Sequence, residues 1–280
     1  MTRIDVMKTY KLFINGSFPR GESGRVYEVR DSKGKFLANP CQASRKDLRE
    51  AVVSARAAQP GWVSSTAYLR GQILYRVAEI MESRKVEFVN TIVASEGKSQ
   101  AVAASEVNEA IDLWVWYAGW SDKISTIAGS TNQVSGPFYN FTTPEAIGVV
   151  SIFASDRAPL VSLVSALGGV LASGNTAVLI APEKSPLTAI ALAEVLATSD
   201  VPAGVVNILT GKSSELVPWV GSHMDIDAVD VSGLNKKQES EVRIAGADNL
   251  KRIHRFTEVR TPQRILAFVE NKTVWHPIGI

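Results

Sequence analysis

The turn after one predicted strand carries charged residues at a place where ligands commonly bind. The segment Ser151–Ile180 has the pattern strand, short polar turn, apolar helix, Gly-Asn turn and strand, which is the layout of a nucleotide-binding unit. Its first turn contains Asp156 and Arg157 and no glycine. The layout therefore predicts a ligand site, while the residue types at the turn leave its chemistry open.

The nucleophilic and metal-ligating residues form no catalytic pattern. Cys41 is the only cysteine, which excludes an internal disulfide and a cysteine-based metal cluster. Nothing near it in sequence suggests the environment that activates a thiolate, so we expect a structural cysteine. His223, His254 and His276 lack a neighbouring second ligand or acid. We therefore assign no metal site and no hydrolase chemistry.

Composition indicates a soluble globular protein. The 280 residues are 45% hydrophobic and 21% charged, with a formal net charge of +2. This balance argues against nucleic-acid and anionic-membrane partners. The apolar segment Ala158–Ala181 is interrupted by the turn residues Ser173–Thr176, so we expect a buried helix and strand and no membrane span. The N-terminal sequence has no apolar run of signal-peptide length, and we expect a cytoplasmic location.

The first half of the sequence predicts a hairpin followed by helices. "KLFINGSF" and "GRVYEVRD" are β-rich runs that predict an opening hairpin. Ser44 and Asp47 have capping-box spacing at the start of an amphipathic helix. A long helix is then predicted up to Gly97. The next helix carries several Trp and Tyr residues, whose spacing favours core packing over an aromatic ligand box.

After about Ala128 the pattern changes. "GSTNQVSGPFYNFTTPEAIG" is typical of an exposed β-hairpin. After Gly148, the apolar runs "VVSIFA", "TAVLIA", "GVVNIL" and "IDAVDVS" alternate with helical segments, which predicts a parallel sheet covered on both faces. We predict an α/β fold: a doubly wound, Rossmann-like parallel sheet with N-terminal helices and a protruding β-arm.

Several segments, taken together, resemble the aldehyde dehydrogenase superfamily over nearly the whole chain: "LFINGSF", "AVVSARAAQPGW", "SEGKS", "YAGWSDKI", "LASGNTAVL" and "VPAGVVNILTG". The resemblance implies a coenzyme-binding-type domain formed by residues 1–127 and 148–260. It also implies an oligomerisation β-arm formed by residues 128–147 and 261–280. We expect the family's catalytic domain, with its nucleophilic cysteine, to be absent.

The positions that resemble the family's catalytic motifs carry other residues. Arg157 occupies the position of the asparagine that stabilises the oxyanion. Phe256 lies nearest the position of the general-base glutamate. Cys41 cannot replace the nucleophile, because it lies in an N-terminal loop. We therefore assign no catalytic residue and expect a pseudoenzyme.

The coenzyme motifs are only partly retained. Glu183 and Gly233 match the family pattern, and Ser232 stands where the family's F-T-G-S motif has threonine; these three are the candidate cofactor-binding residues. Ile180 replaces a lysine that holds the coenzyme ribose, and Val217 replaces a glycine beside the adenine. Both replacements argue against binding, so we expect no cofactor, with weak NAD(P) binding as the alternative.

The C-terminal stretch resembles the family strand that pairs with the exposed hairpin and takes part in subunit association. Val269, Asn271, Thr273 and Trp275 alternate along one face and are the predicted interface residues. The expected assembly is a homo-oligomer, or a hetero-oligomer with a full-length aldehyde dehydrogenase.

Three functional hypotheses follow from the sequence. The first is a non-catalytic partner or scaffold subunit. The alternatives are an NAD(P)-dependent aldehyde oxidoreductase that requires a complete partner subunit, and a weak nucleotide-binding module.

Overall fold

The computed structural model describes residues 7–279. Its helices are α1 (Arg45–Ser64), α2 (Ala67–Ser83), α3 (Lys85–Glu96), α4 (Gln100–Trp120), α5 (Ile124–Ala128), α6 (Pro159–Ala172), α7 (Leu187–Leu196), α8 (Ser213–Ser222), α9 (Lys236–Ala245) and α10 (Gln263–Leu266). Its strands are β1 (Val29–Arg30), β2 (Phe36–Ala38), β3 (Ser130–Asn132), β4 (Phe138–Ala146), β5 (Val149–Phe153), β6 (Thr176–Ile180), β7 (Val206–Leu209), β8 (Ala228–Asp230), β9 (Arg252–His254) and β10 (Val269–Pro277).

The central sheet is parallel, with strand order β7-β6-β5-β8-β9. Alternate strand residues pack into two separate apolar cores. One core joins the sheet to α2, α4, α6 and α7, and the other joins it to α1, α8 and α9. Both faces are therefore covered, as the apolar strands predict. This arrangement confirms the predicted doubly wound α/β fold.

Local signals place several helix ends correctly. The Ser44 hydroxyl accepts from the backbone N–H of Asp47, and the Asp47 carboxylate accepts from that of Ser44, which forms the predicted capping box. Gly97 has φ of 68° and ends α3. The long helix predicted before it is divided into α2 and α3 at Arg84, whose φ and ψ of −103° and 12° leave the helical range.

The predicted opening hairpin is wrong. Phe13 forms an antiparallel bridge to Ile208 on β7, and Val26 forms one to Cys41, so the two β-rich runs do not pair with each other. Phe13 is buried in the core beside the sheet. Burying this apolar segment on the edge of the sheet therefore replaces the local pairing that the sequence suggested.

The arm is a separate three-stranded antiparallel sheet with strand order β10-β4-β3. The register of β10 on β4 runs from Val269 opposite Ala146 to Pro277 opposite Phe138, which confirms the predicted pairing of tail and hairpin. Before β10, the carbonyl of Phe268 accepts a 2.7 Å hydrogen bond from Asn175 Nδ2. The tail is thus fixed to the core up to the residue before the arm strand.

Candidate functional site

The carboxyl ends of the parallel strands bring together the loops that carry the predicted site residues. The loops after β5 and β8 meet where the strand order reverses. Open α/β sheets bind ligands in the crevice at this switch point. This carboxyl edge, formed by residues 154–158, 181–186, 210–212 and 231–235, is the candidate site.

The turn after β5 is held by bonds within the chain. The backbone N–H of Arg157 donates to Ser155 Oγ at 3.1 Å, and that of Lys184 donates to Asp156 Oδ1 at 3.2 Å. Ala158 has φ of 47°, an uncommon conformation for a residue with a side chain. Arg157 itself is exposed, and its guanidinium has no carboxylate partner among residues 7–279.

A carboxylate of the chain already occupies the N-terminus of α6. Glu106 is 7% exposed, and its Oε1 accepts a 3.1 Å hydrogen bond from the backbone N–H of Leu160. Its Oε2 lies 2.5 Å from Lys98 Nζ. Burial opposes the charge of Lys98, but hydrogen bonds to Glu106 and Glu96 outweigh it and raise the pKa of the lysine. The helix terminus, a common anion site, is therefore satisfied internally.

Gly233 is required by the packing of the loop after β8 on β5. Its backbone N–H donates to the carbonyl of Phe153 at 2.9 Å. A Cβ at this position would collide with the backbone carbonyl of Ala154. The fold thus accounts for this glycine without a ligand.

The hydroxyl of Ser232 is bonded on both sides. It donates to Asp230 Oδ1 and accepts a 3.0 Å hydrogen bond from the backbone N–H of Phe256. Its backbone carbonyl accepts from Arg255 Nη1 at 3.1 Å. Its backbone N–H donates to Asp230 Oδ1 at 2.9 Å, so neither the hydroxyl hydrogen nor the N–H is free for a coenzyme phosphate.

A buried ion pair fixes the segment after β9 to the end of β8. Asp230 is 1% exposed and Arg264 is 5% exposed, and Arg264 Nη1 lies 3.0 Å from Asp230 Oδ2. Arg264 also donates from Nε to the carbonyl of Glu258 at 2.7 Å, and it stacks on the ring of Phe256 at 4.6 Å. Phe256, at the predicted general-base position, is therefore a packing residue.

Helix α4 holds the same segment from the other side. The hydroxyl of Tyr117 donates to the carbonyl of Val259 at 2.9 Å. Burial raises the pKa of Tyr117, so the phenol stays protonated and able to donate. Residues 255–264 are thus fixed to both the sheet and α4.

The residues expected to argue against coenzyme binding are completely buried. Ile180 and Val217 are both 0% exposed. They share an apolar cluster with Leu234 on the loop after β8 and Val242 on α9. Side chains of the chain itself therefore fill the space between the sheet, α8 and α9.

Glu183 is the exception among the candidate cofactor residues. It is exposed at the end of β6, and its carboxylate has no hydrogen-bond or ion-pair partner within residues 7–279. With Ile180 apolar, Val217 buried and Ser232 bonded, the residues present fit a dinucleotide poorly.

Cys41, His223 and His254 lie in structural environments, while His276 is exposed on β10. Cys41 is buried, and its carbonyl accepts from the Thr210 hydroxyl at 2.6 Å. His223 Nδ1 accepts from a backbone N–H, and His254 packs between aromatic rings. Within the described residues, His, Cys, Asp and Glu form no group of three that could hold a metal ion.

No helix within residues 7–279 combines the length and apolar character that crossing a membrane requires.

The predicted interface residues lie along β10. Trp275 is 57% exposed and meets the ring of Phe138 edge-on, with centroids 5.7 Å apart. Thr273 Oγ1 lies 3.1 Å from Thr142 Oγ1 on β4. Asn271 is exposed and Val269 is partly buried. Their role in association stays a prediction.

Sequence reasoning missed the residues that occupy the carboxyl edge. The sequence around Asp230 could have predicted a buried ion pair, because a carboxylate inside the apolar run "IDAVDVS" needs a partner if it is buried. The indication for Glu106 is weaker: it shares a helix face with the apolar Ala103 and Ala110, which suggests that it is buried. No local sequence pattern indicates the role of Arg264, because its partner Asp230 lies 34 residues away.

Comparison with known proteins identifies the family of the chain. Residues 18–268 match the aldehyde dehydrogenase family. An aldehyde dehydrogenase from Aspergillus niger is 31% identical over 274 residues, which are 96% of this chain and 54% of that protein. The cytosolic aldehyde dehydrogenase 1 of Elephantulus edwardii is 32% identical over 258 residues, which are 90% of this chain and 51% of that protein.

A solved structure has the same fold. The NAD+ complex of the aldehyde dehydrogenase from Bacillus cereus superimposes with a TM-score of 0.83 at 28% identity, over 89% of this chain and 50% of that one. The chain thus spans about half the length of the relatives it matches. Since the family match extends over most of the sequence, the chain belongs to the aldehyde dehydrogenase family.

Proposed function

We propose that this chain is a non-catalytic association subunit of the aldehyde dehydrogenase family. One observation carries the proposal: the chain's own groups occupy the carboxyl edge where a coenzyme would bind. The Asp230–Arg264 ion pair and the Ser232–Phe256 hydrogen bond close the end of β8, and Val217 fills the apolar space beside α8. A coenzyme would have to break buried bonds to enter, and breaking a buried ion pair costs several kcal/mol.

The arm supports an association role. Strand β10 pairs with β4 on one side only, so the backbone groups along its other edge have no strand partner among residues 7–279. Phe138, Tyr139, Val274 and Trp275 are large apolar side chains of this arm, each at least 39% exposed. An open edge with exposed aromatic residues favours the addition of a strand from a partner. Identical chains would pair about a two-fold axis, and a full-length aldehyde dehydrogenase could take the same place.

Removal of the arm strand tests this proposal. Deletion of Asn271–Ile280 should lower the molecular mass measured by light scattering at least twofold. Trp275→Lys should weaken association in the same direction without removing backbone. Val53→Lys is the matched control, because Val53 is an exposed apolar residue on α1, and it should leave the mass unchanged. A monomeric intact chain that also captures no full-length aldehyde dehydrogenase would contradict the proposal.

A second candidate is an NAD(P)-dependent aldehyde oxidoreductase that works with a complete partner subunit. Glu183 favours it, because this family-type residue is exposed and unpaired at the edge. The Bacillus cereus relative is known as an NAD+ complex. The test is NADH formation over a panel of aldehydes, with a full-length relative present and absent. Activity of the mixture above that of the relative alone, lost in Glu183→Gln, would favour this candidate over the first.

A further inference from the structure

A groove between α2 and the C-terminal part of α4 exposes several large apolar side chains. Its volume is about 850 Å³. Tyr68, Leu69 and Tyr75 on α2 and Val115 on α4 line it, and each is between 43% and 70% exposed. None of its lining residues belongs to the carboxyl edge or to the arm strands. Clustered exposed apolar side chains of this kind mark interaction surfaces.

The core does not need these side chains. The inward face of α2 already buries Ile73, Leu74, Val77 and Met81. Tyr68, Leu69 and Tyr75 form a second apolar stripe on the outward face of the same helix. An amphipathic surface helix normally presents polar residues there. A second stripe therefore calls for a partner outside the chain's own core.

The outward stripe of α2 is complementary to the same stripe on a second, antiparallel copy of the helix. Tyr68 and Tyr75 are seven residues apart, and so are Leu69 and Arg76, which is two helical turns. The midpoints of the two pairs lie half a residue before and half a residue after Gln72, which is exposed. An antiparallel second α2, related by a two-fold axis beside Gln72, places Tyr68 against the partner's Tyr75 and Leu69 against the partner's Arg76. Each contact then occurs twice, as in any two-fold interface.

The charges around the groove also suit an identical partner. Its lining residues carry two cations and three carboxylates: Arg76, Lys123, Glu79, Asp122 and Asp200. Arg76 already pairs with Glu79 at 3.1 Å, and Lys123 with Asp122 at 2.7 Å. The surface thus has no strong field of one sign, as a nucleic-acid or anionic-lipid site would need.

We infer that the α2–α4 groove is a two-fold interface between two copies of this chain. The aromatic pair on one side of the axis and the Leu–Arg contact on the other fix the register of the two helices. The interface does not use the arm. An association through both surfaces therefore produces a tetramer, and each surface alone produces a dimer.

Cysteine cross-linking in the full chain tests the register directly. Cys41 is buried, so an introduced cysteine is the reactive thiol. Gln72→Cys should give a covalent dimer under mild oxidation, because the two copies of this residue face each other at the axis. Ser83→Cys is the matched control on the same helix. Its two copies lie about 33 Å apart in this register, well beyond disulfide reach.

A charge placed in the stripe provides the second measurement. Tyr75→Lys should halve the mass measured by light scattering, with the thermal unfolding midpoint of the subunit retained because Tyr75 is half-exposed. A failure of the groove inference can be told apart from a failure of the arm proposal, because the Gln72→Cys cross-link reports on the α2–α4 groove alone. If Gln72→Cys gives no more dimer than Ser83→Cys, or Tyr75→Lys leaves the mass unchanged, the inference is wrong and the groove serves a different occupant.

Discussion

Asp230 and Arg264 form an ion pair at the end of β8 that is almost completely out of contact with water. Removing one partner from such a pair leaves an uncompensated buried charge, which is much more destabilising than losing an exposed pair. The pair also joins the segment after β9 to the carboxyl edge. It therefore connects stability to the closure of the candidate site.

Arg264→Met should lower the free energy of unfolding by about 3–5 kcal/mol, because the buried Asp230 would lose its ion-pair partner. Urea unfolding followed by circular dichroism provides the measurement. Arg243→Met is the control, since Arg243 pairs with Glu239 and its side chain is 50% exposed; its loss should stay below about 1 kcal/mol. Adding Asp230→Asn to Arg264→Met should recover part of the loss. Equal losses in the two single variants would contradict the buried-pair account.

Lys251 provides a pH-dependent test. Burial lowers its pKa to about 8, partly offset by Asp227 and Asp225, and its Nζ donates to the carbonyl of His223. The folded state therefore binds fewer protons than the unfolded state between pH 8 and 10.5, the ordinary pKa of a lysine. Stability should rise with pH across that window, by on the order of 3 kcal/mol.

The comparison with Lys251→Met isolates this effect. The variant should lack the rise that the native chain has between pH 8 and 10.5, while tyrosine titration affects both chains alike. Unfolding free energies measured in urea at several pH values decide the question. Parallel pH profiles for the two proteins would show that the lysine is not the source.

At the residue level, the sequence singled out two replaced positions but not the contacts around them. Ile180 and Val217 stood out because they replace residues of another chemical type at positions of close approach, and both are buried in the structure. The partners of Ser232 could not be predicted. They depend on how the segment after β9 folds back, and no local pattern around Arg264 specifies that path.

At the scale of elements, the loop after β8 crosses the end of β5 through a glycine. Gly233→Ala should destabilise the fold by about 1–3 kcal/mol, because the added methyl group meets a backbone carbonyl that cannot move aside. Gly119→Ala is the control, since Gly119 lies in α4 with open space around its Cβ position. That change should stabilise the helix by up to about 1 kcal/mol. Thermal unfolding of both variants is the measurement. If Gly233→Ala has the same stability as the native chain, packing does not explain this glycine, and close approach of a ligand becomes the better explanation.

Elements with a strong periodic pattern were predictable and edge pairings were not. The apolar strands β5, β6, β7 and β8 are buried on both faces, so their sequence leaves few alternatives. Strand β9 was missed because it is only three residues long and partly exposed. The opening hairpin failed for a related reason. The bridge from Phe13 to β7 joins residues that are far apart in the sequence, and strand propensity alone cannot predict such a pairing.

At the scale of the whole molecule, the candidate site and the two proposed association surfaces lie on different elements. The carboxyl edge is formed by loops of the parallel sheet, the arm by β3, β4 and β10, and the groove by α2 and α4. The chain matches about half the length of its relatives, and residues 7–279 have the family fold with the chain's own side chains packed at the carboxyl edge. Association is therefore the activity that we propose for these exposed surfaces.

Calorimetric titration of the intact chain with NAD+ tests the central claim most directly. Ile180 offers no hydrogen bond to a ribose, Ser232 is already bonded, and Val217 fills the space beside α8. Each lost hydrogen bond to a charged group weakens binding by about 1.5–3 kcal/mol. The account predicts no measurable heat of binding up to roughly millimolar NAD+, which corresponds to a binding free energy weaker than about −4 kcal/mol. Saturable binding with a Kd in the micromolar range would show that the edge is open, and would contradict the account.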